Sequence, residues 1–489
     1  MMPLSLFSVD LVSENLLLLA SVLIFTAVLV ARAGSKLGTP SLLLFLLLGL
    51  LIGPDVLGLH FDDLEAAESL GHFAMSVIMF TAGLETSFSS VKPVFRAGLT
   101  LSTLGVLLVV TIMGFAISLT GLPLLSCFLL AAILSSTDSA SVFSVLRDKK
   151  LHLRENLAPM LELESGSNDP VAMTLTAILV QFSTSGEWLA KGPWYAAGAG
   201  VLMFLLQLGA GLAIGLLVGY GAQWLLRKLQ MSNFALTAIL VLSTGFFANG
   251  IAQVISGNGL LASYITAIII GNKVHLENEK DIQKFFDGIT WLMQLVMFML
   301  LGLLAHPSQM PRLILPALAL CLFMMFVARP VSVFLCTLPF KKLSFRAKTF
   351  VSWVGLKGAG PILFALYALV HESDHSSEMF NFVFLFSLFS LLMQGSSLRW
   401  MADKLRLSYE EDPEVETFGM DVPEEMGMMR DHIVSEEDLI GGGTLRELHL
   451  PHGIRVMMVR RGERFLVPHG SMKLEVGDRL VIIIGESDD

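Results

Sequence analysis

Thirteen apolar segments, separated by short charged or Gly/Pro-containing breaks, run through this chain between residues 15 and 400. Inside a bilayer every backbone N–H and C=O must be paired within the protein, so only helices and closed barrels can span it. Only 15% of the 489 residues are charged, against about 25% in soluble proteins. We therefore expect an all-α polytopic membrane protein with thirteen transmembrane helices. The segments lie near residues 15–31, 41–53, 71–89, 98–120, 123–146, 159–184, 194–226, 233–255, 259–271, 284–305, 311–338, 349–371 and 378–400.

The basic residues of the loops support this helix count. They fall in every second loop, for example at Lys92 and Arg96, in residues 147–154 and in residues 341–348, whereas the loop at residues 55–68 is acidic. Cytoplasmic loops carry the excess of Lys and Arg, and a wrong number of helices would break the alternation. The pattern predicts an external N-terminus and a cytoplasmic C-terminal tail.

Charge divides the chain into a membrane body and an acidic tail. Residues 1–407 carry 24 basic and 23 acidic residues, whereas residues 408–489 carry 8 and 19. We expect a transmembrane domain at 1–407, an acidic linker at 408–443 and a small α+β cytoplasmic domain at 444–489. The scattered basic residues do not form the patch of a nucleic-acid-binding protein. The three cysteines lie in apolar segments, so neither a disulfide framework nor a cysteine metal site is expected.

The sixth segment carries ionisable residues at membrane depth, in the heptapeptide Glu164–Pro170. Charged side chains there cost roughly 2.5–3.5 kcal/mol on insertion scales, so they mark ion or proton paths. Asp169 is the best candidate for a carboxylate that holds either a proton or a monovalent cation. The alternative is a buried aspartate that braces a helix. Asn168 either contacts the ion or makes an ordinary interhelical hydrogen bond.

Polar residues interrupt two segments in corresponding halves of the chain, Ser135–Ser139 in the fifth and Gly355–Pro361 in the twelfth. Paired broken helices are typical of transporters built from inverted repeats, with a site near the membrane midplane. Asp138, beside Thr137, either supplies oxygen ligands to a hard cation or neutralises the positive N-terminus of a half-helix, and the two roles are compatible. We expect Lys357 to neutralise the negative C-terminus of a half-helix.

Other acidic residues are expected to have structural roles. Glu164 lies five residues before Asp169, about 140° around the helix, so the two carboxylates should not share a face. We expect Glu164 to form a buried ion pair with Arg329 of the eleventh segment, which braces the core. Glu162 and Glu85 are interpreted as residues of solvated helix ends. For Glu162 the alternative is a position in a cytoplasmic funnel.

The motif Glu164–Asp169, the break at Thr137–Asp138, the Arg329 segment and Gly355–Gly358 together resemble the monovalent cation–proton antiporters. Within that superfamily the chain is similar to the NhaP-type, sodium/proton-exchanger branch over roughly residues 10–405. It departs from the family pattern in two places. Serine follows the Thr-Asp pair where proline is frequent, and lysine replaces a frequent arginine in the Gly-Leu-Lys-Gly motif. Both departures bear on selectivity more than on the fold.

The resemblance implies a role for each motif residue. Asp169 takes the place of the exchanging carboxylate, Ser165 that of an ion or water ligand, and Glu164 with Arg329 that of the structural ion pair. An Asn-Asp pair in place of Asp-Asp implies that one carboxylate cycles one charge, hence electroneutral exchange. The residues expected to bind the cation or exchange the proton are Asp169, Asp138, Thr137, Ser165 and Asn168.

The tail resembles a second family. The sequence predicts a short helix at Leu445–Leu448, and strands at 454–459, 463–467 and 478–484. On Val467–Gly470 and Val476–Leu480 the segment looks like the TrkA C-terminal type, the ligand-binding half of potassium-conductance regulators. This implies pairing across a two-fold axis and leaves a nucleotide or ion ligand open. No strand is followed by Gly-x-Gly-x-x-Gly and a helix, which disfavours NAD.

The resemblance implies a homodimeric antiporter of the bacterial inner membrane that exchanges cytoplasmic K⁺ (or Na⁺) for external H⁺. An elevator-like movement of a six-helix core and gating by the tail are expected. K⁺ is preferred because the tail is similar to modules of potassium systems. The alternatives are Na⁺/H⁺ exchange, a ligand-gated K⁺ channel, for which a filter such as Thr-Val-Gly-Tyr-Gly is missing, and a sensor that no longer transports. No catalytic Ser/His or His-rich metal pattern lies in the segments, so neither enzyme activity nor a cofactor is expected.

Overall fold

In a computed structural model the chain forms two compact units, Met1–Tyr409 and Glu410–Asp489. The structure describes residues 16–37, 41–59, 61, 63–138, 142, 151–185, 187–229, 233–274, 279–340, 343–371, 373, 375–410, 429–434, 437–439, 443–448, 454–461 and 464–484.

The first unit is helical, and helices occupy each of the thirteen predicted segments, with two in the twelfth. They are α1 (Leu16–Leu37), α2 (Ser41–Ile52), α3 (Leu64–Glu85), α4 (Phe95–Ser118), α5 (Leu124–Ile133), α6 (Leu157–Ser185), α7 (Pro193–Leu229), α8 (Phe234–Val254), α9 (Gly259–Lys273), α10 (Glu279–Leu303), α11 (Ile314–Thr337), α12 (Phe345–Trp353), α13 (Ala359–Val370) and α14 (Ser376–Lys404). Among the described residues, six helices are long and apolar enough to cross a membrane, namely α4, α7, α8, most of α10, α11 and α14.

Both predicted helix breaks are present, and they meet. Helix α5 ends at Ile133, and the chain is not helical through Asp138. The second break lies between α12 and α13, at residues 354–358. The backbone N–H of Asp138 donates to the carbonyl of Leu356 at 2.9 Å, so one break satisfies a polar group of the other. Unwound backbone at membrane depth needs such a partner.

The structure corrects the extent of the second break. Gly360 and Pro361 were assigned to it, but both lie in the first turn of α13, which begins at Ala359. Proline suits the first turn of a helix because its missing N–H has no intrahelical partner there. The last predicted residue of the first break, Ser139, lies outside the described residues.

Three of the long helices contain a π-helical turn, at Leu101–Gly105 in α4, Met324–Ala328 in α11 and Leu391–Gly395 in α14. Such turns bulge the helix and leave backbone groups to be satisfied. The hydroxyl of Ser332, one turn after the bulge of α11, donates to the carbonyl of Gly105, the last residue of the bulge of α4, at 2.8 Å. Arg329 directly follows the bulge of α11.

Glycines bring α7 and α9 into close contact. Gly211, Gly215 and Gly219 lie four residues apart on one face of α7, and a Cβ at Gly215 would come within 2.8 Å of the carbonyl of Ala262. Small residues at this spacing allow helix backbones to approach closely in a membrane. The contact fixes α9, whose first turn carries Asn258 as its N-cap.

Strands β1 (Leu151–Leu153) and β2 (Ser408–Glu410) form a two-stranded sheet. The second unit contains β3 (Met429–Ile433), β4 (Ile454–Arg461), β5 (Arg464–Leu466) and β6 (Arg479–Ile484). These four strands form an antiparallel sheet in the order β3-β6-β4-β5. A small apolar core beside the four-stranded sheet includes Val459, Leu480 and Ile482.

Two expectations for the tail were wrong in detail. Strand β3 lies inside the stretch that was assigned to the acidic linker, because its backbone pairs with β6 although its sequence is polar. The helix expected at Leu445–Leu448 is a turn, in which the N–H and hydroxyl of Thr444 both donate to the carboxylate of Glu447. The part of the linker at residues 411–428 lies outside the described residues.

Candidate ion-binding site

Asp169 lies in the middle of α6, beside the point where the two helix breaks meet. Its side chain is buried, with 6% of the residue exposed. The hydroxyl of Ser136, in the first break, donates to Asp169 Oδ1. Gly360 of α13 also faces this carboxylate, because a Cβ there would lie 3.7 Å from Asp169 Oδ1. Asp169 of α6 is therefore held between two elements that are distant in sequence, the first break and the start of α13.

Two further side chains of α6 hold the first break at Thr137. The amide nitrogen of Asn168 donates to the hydroxyl of Thr137, and the hydroxyl of Ser165 donates to the carbonyl of Thr137 at 2.7 Å. All three residues are buried. The amide oxygen of Asn168 is also buried, and it accepts no hydrogen bond within the described part of the chain. The predicted site residues thus lie together, and one oxygen among them is unsatisfied.

The carboxylate of Asp138 lies against Gly358, the residue that precedes α13. A Cβ at position 358 would overlap Asp138 Oδ2, so only glycine fits there. This places the acid at the N-terminal end of a half-helix, where the helix dipole favours a negative charge. Asp138 is partly exposed, whereas its neighbour Thr137 is buried.

Lys357 is buried in the second break, with 2% of the residue exposed. Its ammonium donates to the carbonyls of Ser135 at 3.2 Å and Ser136 at 2.6 Å, which follow the C-terminal end of α5. Its backbone N–H donates to the hydroxyl of Ser390 in α14 at 3.0 Å. A cation at this end of a half-helix complements the negative end of the dipole.

Glu164 and Arg329 form an ion pair, through Glu164 Oε1 and Arg329 Nη2. The two residues are 1% and 5% exposed. A small cavity of about 10 Å³, lined among others by Thr137, Glu164 and Ser165, lies beside the pair. That volume is about what one water molecule needs.

The other two acids flagged in the sequence lie nearer the surface. Glu85, the last residue of α3, is exposed and lines a separate small cavity with Gln283 and Phe286. Glu162 is partly buried in α6.

Tyr264 of α9 was not predicted, yet it contacts the motif directly. Its ring packs on Gly166, where a Cβ would lie 2.6 Å from Tyr264 Cζ. The phenol lies 3.5 Å from the hydroxyl of Thr86, and 1% of the tyrosine is exposed. Gly166 is three residues from Asp169, so the ring covers α6 about one turn away from the carboxylate. Ser136 was also missed, although it lay within the predicted break.

A cavity of about 940 Å³ lies on the other side of Asp169. Its lining is mostly contributed by α3, α6, α8, the start of α9 and α13. Asn258 lines it and donates to the carbonyl of Pro170 at 2.9 Å and the hydroxyl of Thr174 at 2.8 Å. The first residue of α6 in the lining is Met173, so the cavity comes within about one helical turn of Asp169. We call it the polar cavity.

Comparisons with known proteins identify families for the membrane body and for the tail. Residues 21–404 match the family described as sodium/hydrogen exchanger, transmembrane, and residues 430–488 match the TrkA-C domain. The chain is 35% identical over 477 residues to the K(+)/H(+) antiporter NhaP2 of Shewanella oneidensis, covering 96% of this chain and 81% of the relative. It is 35% identical over 473 residues to the K(+)/H(+) antiporter NhaP of Alkalimonas amylolytica, covering 94% and 76%.

The fold has a counterpart among solved structures. The sodium proton antiporter MjNhaP1 of Methanocaldococcus jannaschii superimposes with a TM-score of 0.69 at 22% sequence identity, covering 79% of this chain and 97% of that chain. The family match to the membrane body extends over more than half of the chain. The chain therefore belongs to the sodium/hydrogen exchanger family and carries a TrkA-C domain at its C-terminal end.

Proposed function

We propose that the chain exchanges a monovalent cation, K⁺ in preference to Na⁺, for protons at Asp169. The observation that carries the proposal is the buried carboxylate of Asp169 beside the point where the two helix breaks meet, where it accepts a hydrogen bond from the hydroxyl of Ser136. An ionisable group at this depth is expensive unless it serves an ion path. A carboxylate can bind a proton or a cation but not both at once, which couples the two fluxes with opposite sign.

The ligands proposed for the dehydrated cation are oxygens. Carbonyl and carboxylate oxygens replace the water shell of K⁺ or Na⁺. Asp169 contributes the charge, and Asn168 Oδ1 is available as a buried acceptor without a hydrogen-bond partner in the described residues. An unsatisfied buried acceptor costs about 1–3 kcal/mol, which a bound cation would recover. Thr137 and Ser165 hold the first break in place, and Asp138 adds a second negative charge nearby.

The surroundings of Asp169 differ on its two sides along α6, as an alternating-access mechanism requires. The polar cavity approaches Asp169 from one side, and Tyr264 covers Gly166 on the other. In the proposed orientation, with an external N-terminus and thirteen crossings, the polar cavity opens to the outside. The paired breaks and the paired π-turns of α4 and α11 support inverted repeats, and an elevator-like movement of a core that carries α5, α6, α12 and α13 would move the site across.

The proposed function includes an oligomeric state and control by the tail. We propose electroneutral exchange in a homodimer in the bacterial inner membrane, because one carboxylate exchanges one charge. The transport domain would extend over residues 1–407, and the tail would gate it, with a nucleotide or an ion as a candidate ligand. The names of the two relatives, both K(+)/H(+) antiporters, support K⁺. The name of the structural neighbour, a sodium proton antiporter, keeps Na⁺/H⁺ exchange as the second candidate.

Proton movement in everted membrane vesicles tests the proposal. K⁺ or Na⁺ is added to vesicles that hold a respiration-driven pH gradient, and its collapse is followed with a fluorescent dye. We expect K⁺ to collapse the gradient in wild type and neither cation to do so in Asp169→Asn. The control is Asp281→Asn, an exposed acid of α10, which should behave as wild type. Exchange that persists in Asp169→Asn would contradict the site, and cation flux without proton coupling would favour a channel.

A further inference from the structure

Titratable and polar side chains cluster on one face of α3, at the end of the polar cavity away from Asp169. Glu65, Glu68, His72 and Ser76 follow one another at intervals of three or four residues, so they share a face of the helix. All four line the polar cavity. A polar stripe on a membrane helix is normally turned toward protein or water rather than lipid.

The members of this cluster contact one another and α13. His72 Nε2 lies 3.7 Å from Glu68 Oε1, and the two side chains are 25% and 15% exposed. The ring of Tyr367 faces His72 edge-on with centroids 6.5 Å apart. The ring of His371 packs on Tyr367 at 4.1 Å, and His371 Nδ1 lies 2.9 Å from the carbonyl of Tyr367. We call Glu68, His72 and His371 the outer cluster.

In the described lining of the polar cavity, the titratable groups that accompany His72 lie on two elements. Glu65 and Glu68 lie on its own helix, and His371 and Tyr367 lie on α13. The lining contributed by α6, α8 and the start of α9 includes neutral polar groups, such as Thr174, Asn249 and Asn258, and no charged ones. The charge of this end of the cavity is therefore set by two carboxylates and two imidazoles.

Polar groups continue from the outer cluster toward the ion site. Ser76 lies one turn below His72 and donates to its carbonyl at 2.8 Å. The amide of Asn249 donates to Ser76, and Gln253 donates to Asn249 Oδ1 at 2.6 Å. Beyond Ser76, the methyl of Met75 and Asp169 both face Gly360. The polar lining thus extends along α3 to Ser76, one residue from a methionine that shares the neighbourhood of Gly360 with Asp169.

We propose that the outer cluster is the receiving site for protons and monovalent cations on their way to Asp169 from this side of the membrane. The proposal rests on the proposed exchange function. When the imidazoles are protonated they offset Glu65 and Glu68, and protons are present to be passed inward. When the imidazoles are neutral, the two carboxylates make this end of the cavity negative and attract the cation. Charged clefts raise the local concentration of a counter-ion in this way.

The cluster thereby adds a dependence on pH that acts from one side of the membrane only. Histidine is the side chain whose unperturbed charge change lies between about pH 5 and 8, so the charge of the cluster can switch near neutral pH. A group that merely stabilises the fold would affect both directions of transport equally.

Transport measurements in vesicles of both orientations distinguish an effect on one face from a general effect on the fold. Exchange is measured in right-side-out and everted vesicles while the pH on the outer-cluster face is varied and the opposite pH is held fixed. The variants are Glu68→Gln and His72→Gln. The matched controls are Glu378→Gln and His306→Gln, an acid at the start of α14 and a histidine before Pro307 that do not line the polar cavity.

We expect both cluster variants to shift the half-maximal pH on their own face by roughly half a unit, the size of one lost nearby charge at high effective dielectric. Glu68→Gln should also raise the half-saturating cation concentration on that face by about three-fold. The pH profile of exchange on the opposite face should stay unchanged. The controls should match wild type on both faces.

An unchanged profile on the cluster face, in variants that still exchange, would overturn the inference and leave the proposed function intact. Equal shifts on both faces would also overturn it. If wild type itself shows no cation-coupled proton movement, the proposed function fails first. His72→Arg gives a second test, because a fixed positive charge should reduce the dependence on pH between about 6 and 8 on the cluster face and weaken cation uptake from that face.

Discussion

The backbone N–H of Asp138 donates to the carbonyl of Leu356 at 2.9 Å, across 218 residues of sequence. The bond joins the two helix breaks at one point. It also brings the residues that the breaks carry, Thr137 and Lys357 among them, next to Asp169 of α6. Neither break alone could satisfy its polar groups inside a membrane. The two breaks therefore depend on each other, and the candidate ion site depends on both.

Gly358→Ala should disrupt this crossing. The added methyl would overlap the carboxylate of Asp138, and overpacking of this kind costs about 1–3 kcal/mol. We expect a lower midpoint of thermal unfolding in detergent and a loss of exchange in vesicles. Gly221→Ala in α7 is the control, since nothing lies within 4 Å of a Cβ there. Full activity of Gly358→Ala would show that the contact is not required.

The Glu164–Arg329 pair should behave as a unit. Removal of one member leaves a buried charge without its partner and costs roughly 3–5 kcal/mol of unfolding free energy. We expect Glu164→Gln and Arg329→Met each to show this loss, and the double variant to lose much less than their sum. A double-mutant cycle on unfolding measures the coupling, and additive losses would contradict a direct pair. Lys284 and Asp281, an exposed pair, should show at most about 1 kcal/mol.

Gly166→Ala should displace Tyr264. A methyl at this position would come 2.6 Å from the ring, so the ring must move or α6 must shift. We expect the exchange rate to fall about ten-fold, which corresponds to about 1.4 kcal/mol in the barrier. Tyr264→Leu in the same background should restore part of the rate, because it removes the ring atoms that the methyl meets. If the second substitution restores nothing, the loss has another cause. The rates are compared by dye fluorescence in everted vesicles.

Asp478 should stabilise the tail in a pH-dependent way. Arg461 donates to both of its carboxylate oxygens, at 2.8 and 2.7 Å, and this holds the pKa of Asp478 below its usual value. A carboxylate with a lowered folded pKa stabilises the fold above its unfolded pKa of about 3.9, and the contribution is lost as the pH falls through the lowered value.

Asp478→Asn should therefore increase hydrogen exchange of the β6 amides at pH 7, by an amount equivalent to about 1–3 kcal/mol. The difference from wild type should shrink below about pH 4. Glu475→Gln removes the more exposed partner of the same arginine and should have a much smaller effect. A difference that stays constant down to pH 2–3 would contradict the role of the carboxylate charge.

Much of the membrane body could be predicted because hydrophobicity and charge act locally. A run of apolar residues forms a helix in lipid whatever its neighbours are, and both breaks were visible as polar residues inside such runs. The Glu164–Arg329 pair was predictable because a buried charge needs a partner and few candidates were present. The tail was harder to predict. Strand β3 is polar and forms by pairing with β6, and the turn at Thr444 depends on one carboxylate.

The sequence by itself determined the class of protein, the helical segments, the two breaks and Asp169 as the candidate exchanging group. Only the tertiary structure decided how the breaks meet, that Ser136 bonds to Asp169 across 33 residues, and that Tyr264 covers Gly166. It also placed Glu68, His72 and His371 in one cavity. The physical reason is that burial in a membrane is a property of each segment. Which group a hydrogen-bond donor or an aromatic ring contacts, by contrast, is determined by packing between segments far apart in sequence.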